Sequence, residues 1–173
     1  MEQPKLLNLD IQFFGRRKNA MRGHFVQAIA DGADSPDESG WLELARYISS
    51  ITDSTTEETE EEAFYDGDGT PEETITSVAE AYDVSGQYDP EDEAQQLIAD
   101  LKHKVGDGRK IWHRVVRSDG QKEWVGKATV SAIVAGSGDA SAYEDFSCTI
   151  RFDHIPEATD LDNGDNGGGG VEG

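Results

Sequence analysis

Lysine and arginine are absent between Arg46 and Lys102. Over the whole chain 15 basic residues face 36 acidic ones, a formal net charge of -21. That balance excludes a general nucleic-acid binder, because contacts from Lys and Arg to phosphate supply most of such affinity. Cysteine is nearly absent too. Cys148 stands alone, so no internal disulfide can form, and the chain is expected to fold in a reducing cytoplasm. No apolar stretch approaches the ~20 residues of a membrane-spanning helix, so no membrane insertion is expected. The apolar patch at residues 6–14 is broken by Asn8, Asp10 and Gln12. Arg16, Arg17 and Lys18 follow that patch, the wrong order for a secretory signal.

Patterns that carry chemistry are missing as well. His24, His103, His113 and His154 are scattered without metal-ligand spacing. No Gly-x-Ser-x-Gly elbow or phosphate-binding loop occurs. Asp66, Gly67, Asp68 and Gly69 start like a calcium loop, but the sixth position is Pro71 and the twelfth is Ser77. Asp160, Asp162 and Asp165 lack flanking helices. Carboxylates are too frequent for any pair to single out a hydrolase. The expectation is a protein that is not an enzyme and holds no cofactor or metal.

What is present is one capped amphipathic segment at residues 89–106. Asp89 reads as the N-cap, Pro90 as the first helical residue, and Glu91, Asp92 and Glu93 as an acidic first turn. Lys102, His103 and Lys104 complement the last turn, and Gly106 reads as the left-handed cap. The spacing predicts a helix over about 90–105. Ala94, Leu97, Ile98, Leu101 and Val105 form its apolar stripe, and Ala94, Leu97, Ile98 and Leu101 are its expected packing face.

The back half alternates. Phe146, Cys148, Ile150 and Phe152 oppose Asp145, Ser147, Thr149, Arg151 and Asp153, the mark of a strand with one dry face. Cys148 is then a buried, inert thiol. Trp124, Ala128, Val130, Ala132 and Val134 likewise oppose Lys127, Thr129 and Ser131. Residues 109–117 favour a strand with apolar groups on both faces. Ser118, Asp119 and Gly120 form the hairpin turn between these two. In the front half, residues 23–30, 41–48 and 74–84 are candidate strands. Residues 49–71 show no apolar period and read as a long exposed acidic loop, with ragged strand ends at 52–56 and 63–65 as an alternative. Phe64 and Tyr65 within it either anchor the loop to its own domain or touch a neighbour.

One domain is expected at residues 20–156, between an N-terminal arm at 1–19 and a flexible Gly-rich tail at 157–173. The fold class is mainly β (α+β): a β-sandwich or barrel with one flanking α-helix, a long acidic loop and flexible terminal arms.

Residues 41–50 (WLELARYISS), 63–70 (AFYDGDGT), 88–101 (YDPEDEAQQLIADL), 106–112 (GDGRKIW) and 128–156 resemble the tail tube, or major tail, proteins of long-tailed bacteriophages. The likeness spans most of residues 20–156 and lies in structural motifs. It implies six copies in a ring, inner sheets joined around a lumen, and rings stacked into the tail tube of a virion assembled in a bacterial host. Implied partners are further copies, other tail proteins such as the tape measure and tail terminator, and passing DNA without sequence-specific binding. The loop carrying Glu57, Glu58, Glu60, Glu61, Glu62, Phe64 and Tyr65 would reach an adjacent subunit or ring. Neither a cofactor nor a catalytic residue comes with the resemblance, which leans towards a non-contractile tail. Most of the acid then serves solubility, with some carboxylates lining the DNA passage as the sharper alternative. Two other readings stay open: a head–tail joining or capsid-decorating module, and an acidic DNA-mimic inhibitor.

Overall fold

A computed structural model describes residues 17–161. Residues 1–16 of the expected arm at 1–19 and residues 162–173 of the expected tail lie outside the described residues. The strands are β1 (Gly23–Ala28), β2 (Leu42–Glu43), β3 (Ile48–Asp53), β4 (Thr56–Glu62), β5 (Glu72–Ala79), β6 (Ala81–Gln87), β7 (Lys110–Val116), β8 (Lys122–Ala135), β9 (Asp145–Phe152) and β10 (Glu157–Asp160). The single α-helix among them is α1 (Glu93–Asp100). Eight strands form one antiparallel sheet in the order β2-β1-β7-β8-β9-β6-β3, with β10 on β8. The sheet curls into a half-barrel. Helix α1 packs against β1, β2 and β8. Strands β4 and β5 pair only with each other.

The mainly β fold with one flanking helix follows from the alternation in β9. Phe146, Cys148, Ile150 and Phe152 are all buried. They join Val26, Val84, Ile111, Val115, Val130 and Ile98 in one cluster. Each large side chain there stabilises packing by roughly 1.5–3 kcal/mol as an upper bound. Burial pushes the Cys148 thiol up to about 12, so it stays protonated and inert.

Strand β8 departs from simple alternation. Ala128 and Val130 are buried, but the third core residue is Ile133 rather than Ala132 or Val134. The register slips between Ser131 and Val134, and Ala132 adopts a φ of 49°. A bulge inserts one residue and exchanges the two faces beyond it. Ala132 therefore points to solvent.

The helix is shorter than its sequence suggests. Its N-cap is Asp92, whose side chain accepts from the Gln95 N–H at 2.9 Å. Asp89 is not the cap: its carboxylate accepts from the Glu91 N–H and pairs with Arg46. The helix stops at Asp100 with Leu101 as its C-cap, so Lys102, His103 and Lys104 lie beyond it. Val105 is exposed, and Gly106, with φ 57°, opens a short 3-10 turn instead of capping α1.

Three other expectations change. The loop at 49–71 is mostly strand: β3 continues into β4, and β5 returns into β6, making one long hairpin. The strand expected at 74–84 is two strands divided at Glu80, and the one at 41–48 shrinks to Leu42–Glu43 before the chain crosses to β3. Residues 157–160 are not tail but β10, paired from Glu157↔Val125 to Asp160↔Lys122.

Candidate assembly surface

The outer half of the long hairpin leaves the body of the subunit. Ser54 N–H donates to the Ala81 carbonyl at 2.9 Å, and beyond that point the ladder continues as β4–β5 alone. Every residue of β4 is exposed, as are all of β5 except Ala79. An isolated two-stranded hairpin is marginal in water. Glu57, Glu58, Glu60, Glu61 and Glu62 thus lie on a strand, not a loop. With Asp66, Asp68, Glu72 and Glu73 they put nine carboxylates between Thr56 and Ala79, and no lysine or arginine. Ile75 and Val78 are exposed on the returning strand.

Phe64 and Tyr65 sit at the far end of this arm. Phe64 lies back over the arm, beside Glu60, Glu62, Glu72 and Thr74. Tyr65 projects freely, at 110% relative exposure. Anchoring by Tyr65 on the chain's own domain is therefore ruled out.

The sheet ends in two borders, β2 and β3. Such borders present unpaired backbone donors and acceptors to other chains. Its wet face is rich in hydroxyls, and Asp83, Glu123 and Asp153 are engaged. Thr149 donates to Asp83 and Thr129 to Asp153, both at 2.6 Å. Lys110 pairs with Asp153 at 3.4 Å, and Arg114 pairs with Glu123. Acid on the sheet thus meets cations at Asp153 and Glu123. On the arm Glu58 accepts from Ser77 and Asp68 from the Thr70 N–H, with no Lys or Arg in the arm.

A cleft of about 260 Å³ opens at the base of the arm. Its walls include Arg22, His24, Leu44, Ile48, Ser49 and Ile51, and no Asp or Glu lines it. Arg22 also lies 6.0 Å from the centre of the Trp124 ring. Sequence reasoning missed this cleft, because two separated segments, 19–24 and 44–51, build it and neither carries a motif.

Below the cleft, His24 stacks on His113 at 5.7 Å, and His113 stacks on Phe152 at 5.0 Å. Burial, reinforced by Arg22, lowers His24 to about 4. Burial, reinforced by His24, lowers His113 to about 3. Both rings are therefore neutral at pH 7 and act as core. Of the expected helix face, Ala94, Ile98 and Leu101 are buried and Leu97 is half-buried against the core. No metal-binding group of three or more His, Cys, Asp or Glu exists among the described residues.

No protein-family model and no curated protein matches the chain. Solved structures do. A chain from the tail of an empty gene transfer agent particle, refined helically with C6 symmetry, is 13% identical with a TM-score of 0.59. The match covers 83% of this chain and 99% of that one. A chain of the SPP1 tail tube is 15% identical with a TM-score of 0.55, covering 84% and 80%. A chain of the sheath–tube complex of an extracellular contractile injection system is 11% identical with a TM-score of 0.54, covering 86% and 95%. At these identities the likeness is one of fold.

Proposed function

We propose that this chain is the subunit of a phage-type tail tube, a structural protein of the virion without catalysis. Six copies join sheet borders into a ring, and rings stack into a conduit through which DNA leaves the particle. The observation that carries this reading is the uncovered β4–β5 arm on a fold shared with chains of tails and tubes. An arm with two wet faces and a projecting aromatic gains stability only where another chain meets it. Ring closure would likewise complete the borders at β2 and β3, and cyclic symmetry limits growth in that plane. The tape measure and tail terminator are the expected tail partners, and DNA passes without sequence-specific contacts.

A net charge of -21 opposes premature association, and salt screens that barrier. Isolated subunits stay soluble at low salt and polymerise slowly without an initiator. Negative-stain microscopy of concentrated protein across a salt series tests the reading. Tubes of uniform width with a regular axial repeat are expected, forming faster at higher salt. Monomers or dimers at every salt and concentration would overturn it.

A further inference from the structure

We propose that the cleft lined by Arg22, Leu44 and Ile51 is the socket for Tyr65 of a second copy. The inference rests on the stacked-tube reading and names the contact that joins one ring to the next.

Size comes first. A cleft of about 260 Å³ lies below the ~300–1,000 Å³ that houses a drug-sized ligand, but it suits one aromatic side chain. Tyr65 is the most exposed large aromatic among the described residues and has nothing of its own to pack on. A ring seated in a desolvated pocket is the usual form of an interface anchor.

Charge comes second. The residues around Tyr65 include Glu61, Glu62, Asp66 and Asp68, with no cation. The cleft is lined by Arg22 and by no acid, with Asp53 nearby feeling the Arg22 charge, and Lys18 is exposed next to its Asn19 wall. In so acidic a chain an acid-free cleft is the natural complement of the arm. The larger groove between α1 and the end of β1 does not compete. Asp31, Asp100 and Asp107 there balance Lys104, Lys110 and Lys127, so it offers an acidic arm no preference. Arg22 also provides a guanidinium beside which a phenol ring can stack.

Geometry comes third. Ile51 at the socket and Tyr65 at the tip stand at opposite ends of one extended run, roughly 45 Å apart at about 3.3 Å per residue. Socket and knob on one copy therefore cannot meet each other. Unless two copies exchange knob and socket reciprocally, a contact between these different patches is head-to-tail and propagates to further copies. Each copy receives one knob and offers one, which suits an axial stack.

Engineered cysteines test the contact directly. One chain carries Asp66→Cys beside the knob, and the other carries Ser49→Cys on the socket rim. The two are mixed under mild oxidation, with Tyr143→Cys replacing Asp66→Cys as the control. The expected result is a disulfide heterodimer at least tenfold above control. Adding Tyr65→Ala lowers that yield about tenfold, and Tyr65→Phe restores most of it. No heterodimer above control, or a yield indifferent to Tyr65→Ala, overturns the socket. Tubes of normal length from Tyr65→Ala chains also overturn it, while leaving the tube reading intact. A Tyr65-dependent heterodimer from a protein that never forms tubes supports the socket and strikes only the stacking.

Discussion

Gln95 and Arg46 are joined by a 2.7 Å hydrogen bond from the Gln95 side-chain N–H to the Arg46 carbonyl. The other side-chain atom of Gln95 accepts from the Asp89 N–H at 2.8 Å. Asp89 closes the loop with a 2.9 Å ion pair to Arg46. Gln95 is fully buried, so this clasp docks α1 onto the crossing between β2 and β3. Replacing Gln95 with Leu leaves the half-buried Arg46 carbonyl and the buried Asp89 N–H without partners. We expect a loss of about 1–3 kcal/mol, read as a lower urea midpoint at an unchanged slope. An unchanged midpoint would show the clasp to be decorative.

The histidine pair gives the subunit a dependence on acid. Both pKa values lie below the unfolded value of 6.5. The unfolded chain therefore binds more protons as pH falls, and stability present above pH 6.5 is lost as pH drops towards about 4 and 3. His24 alone accounts for on the order of 3 kcal/mol. Carboxylates also titrate near the bottom of this window, so a variant must isolate the histidines. His113→Phe should lose less stability than wild type between pH 6.5 and 4 in urea titrations. Parallel losses in the two proteins would rule out this source.

Gly86 lies where two backbones nearly touch. A Cβ there would stand 2.3 Å from the Tyr47 carbonyl oxygen and 2.8 Å from the Ile48 Cα. Tyr47 holds a φ of 55° at that point, and its carbonyl accepts from the Gln87 N–H. Backbone gives way at greater cost than a side-chain tip. Gly86→Ala should destabilise by about 1–3 kcal/mol in thermal or urea unfolding. Near-wild-type stability would mean that the crossing shifts freely.

Excising the arm separates folding from assembly. Replacing residues 56–79 with a short turn removes no member of the buried core cluster. The expected product melts within a few degrees of wild type and forms no long tubes in negative stain. Tubes of ordinary length from that chain would remove the arm from assembly.

The parts of this fold legible in the sequence are those with one dry face and one wet face. Phe146, Cys148, Ile150 and Phe152 announce β9 because each second residue must leave water. The same rule misreads β8 past Ser131, since one residue in a left-handed conformation reverses which side is dry. It misses β4 beyond Thr56: a strand wet on both faces has no apolar period, so its glutamates look like loop. Asp89-Pro90 copies a helix start, yet tertiary pairing with Arg46 claims Asp89 and moves the start to Asp92. The cleft at Arg22 had no local signal, because the curl of the sheet assembles it from distant segments.

One backbone hydrogen bond, Ser54 to Ala81, carries the ladder from body to arm. A pivot at that joint would leave both ladders whole. A column coupled through such joints would bend by spreading small pivots over many copies, with no subunit obliged to melt. Curvature would then cost little, and the bore would keep its width around every turn.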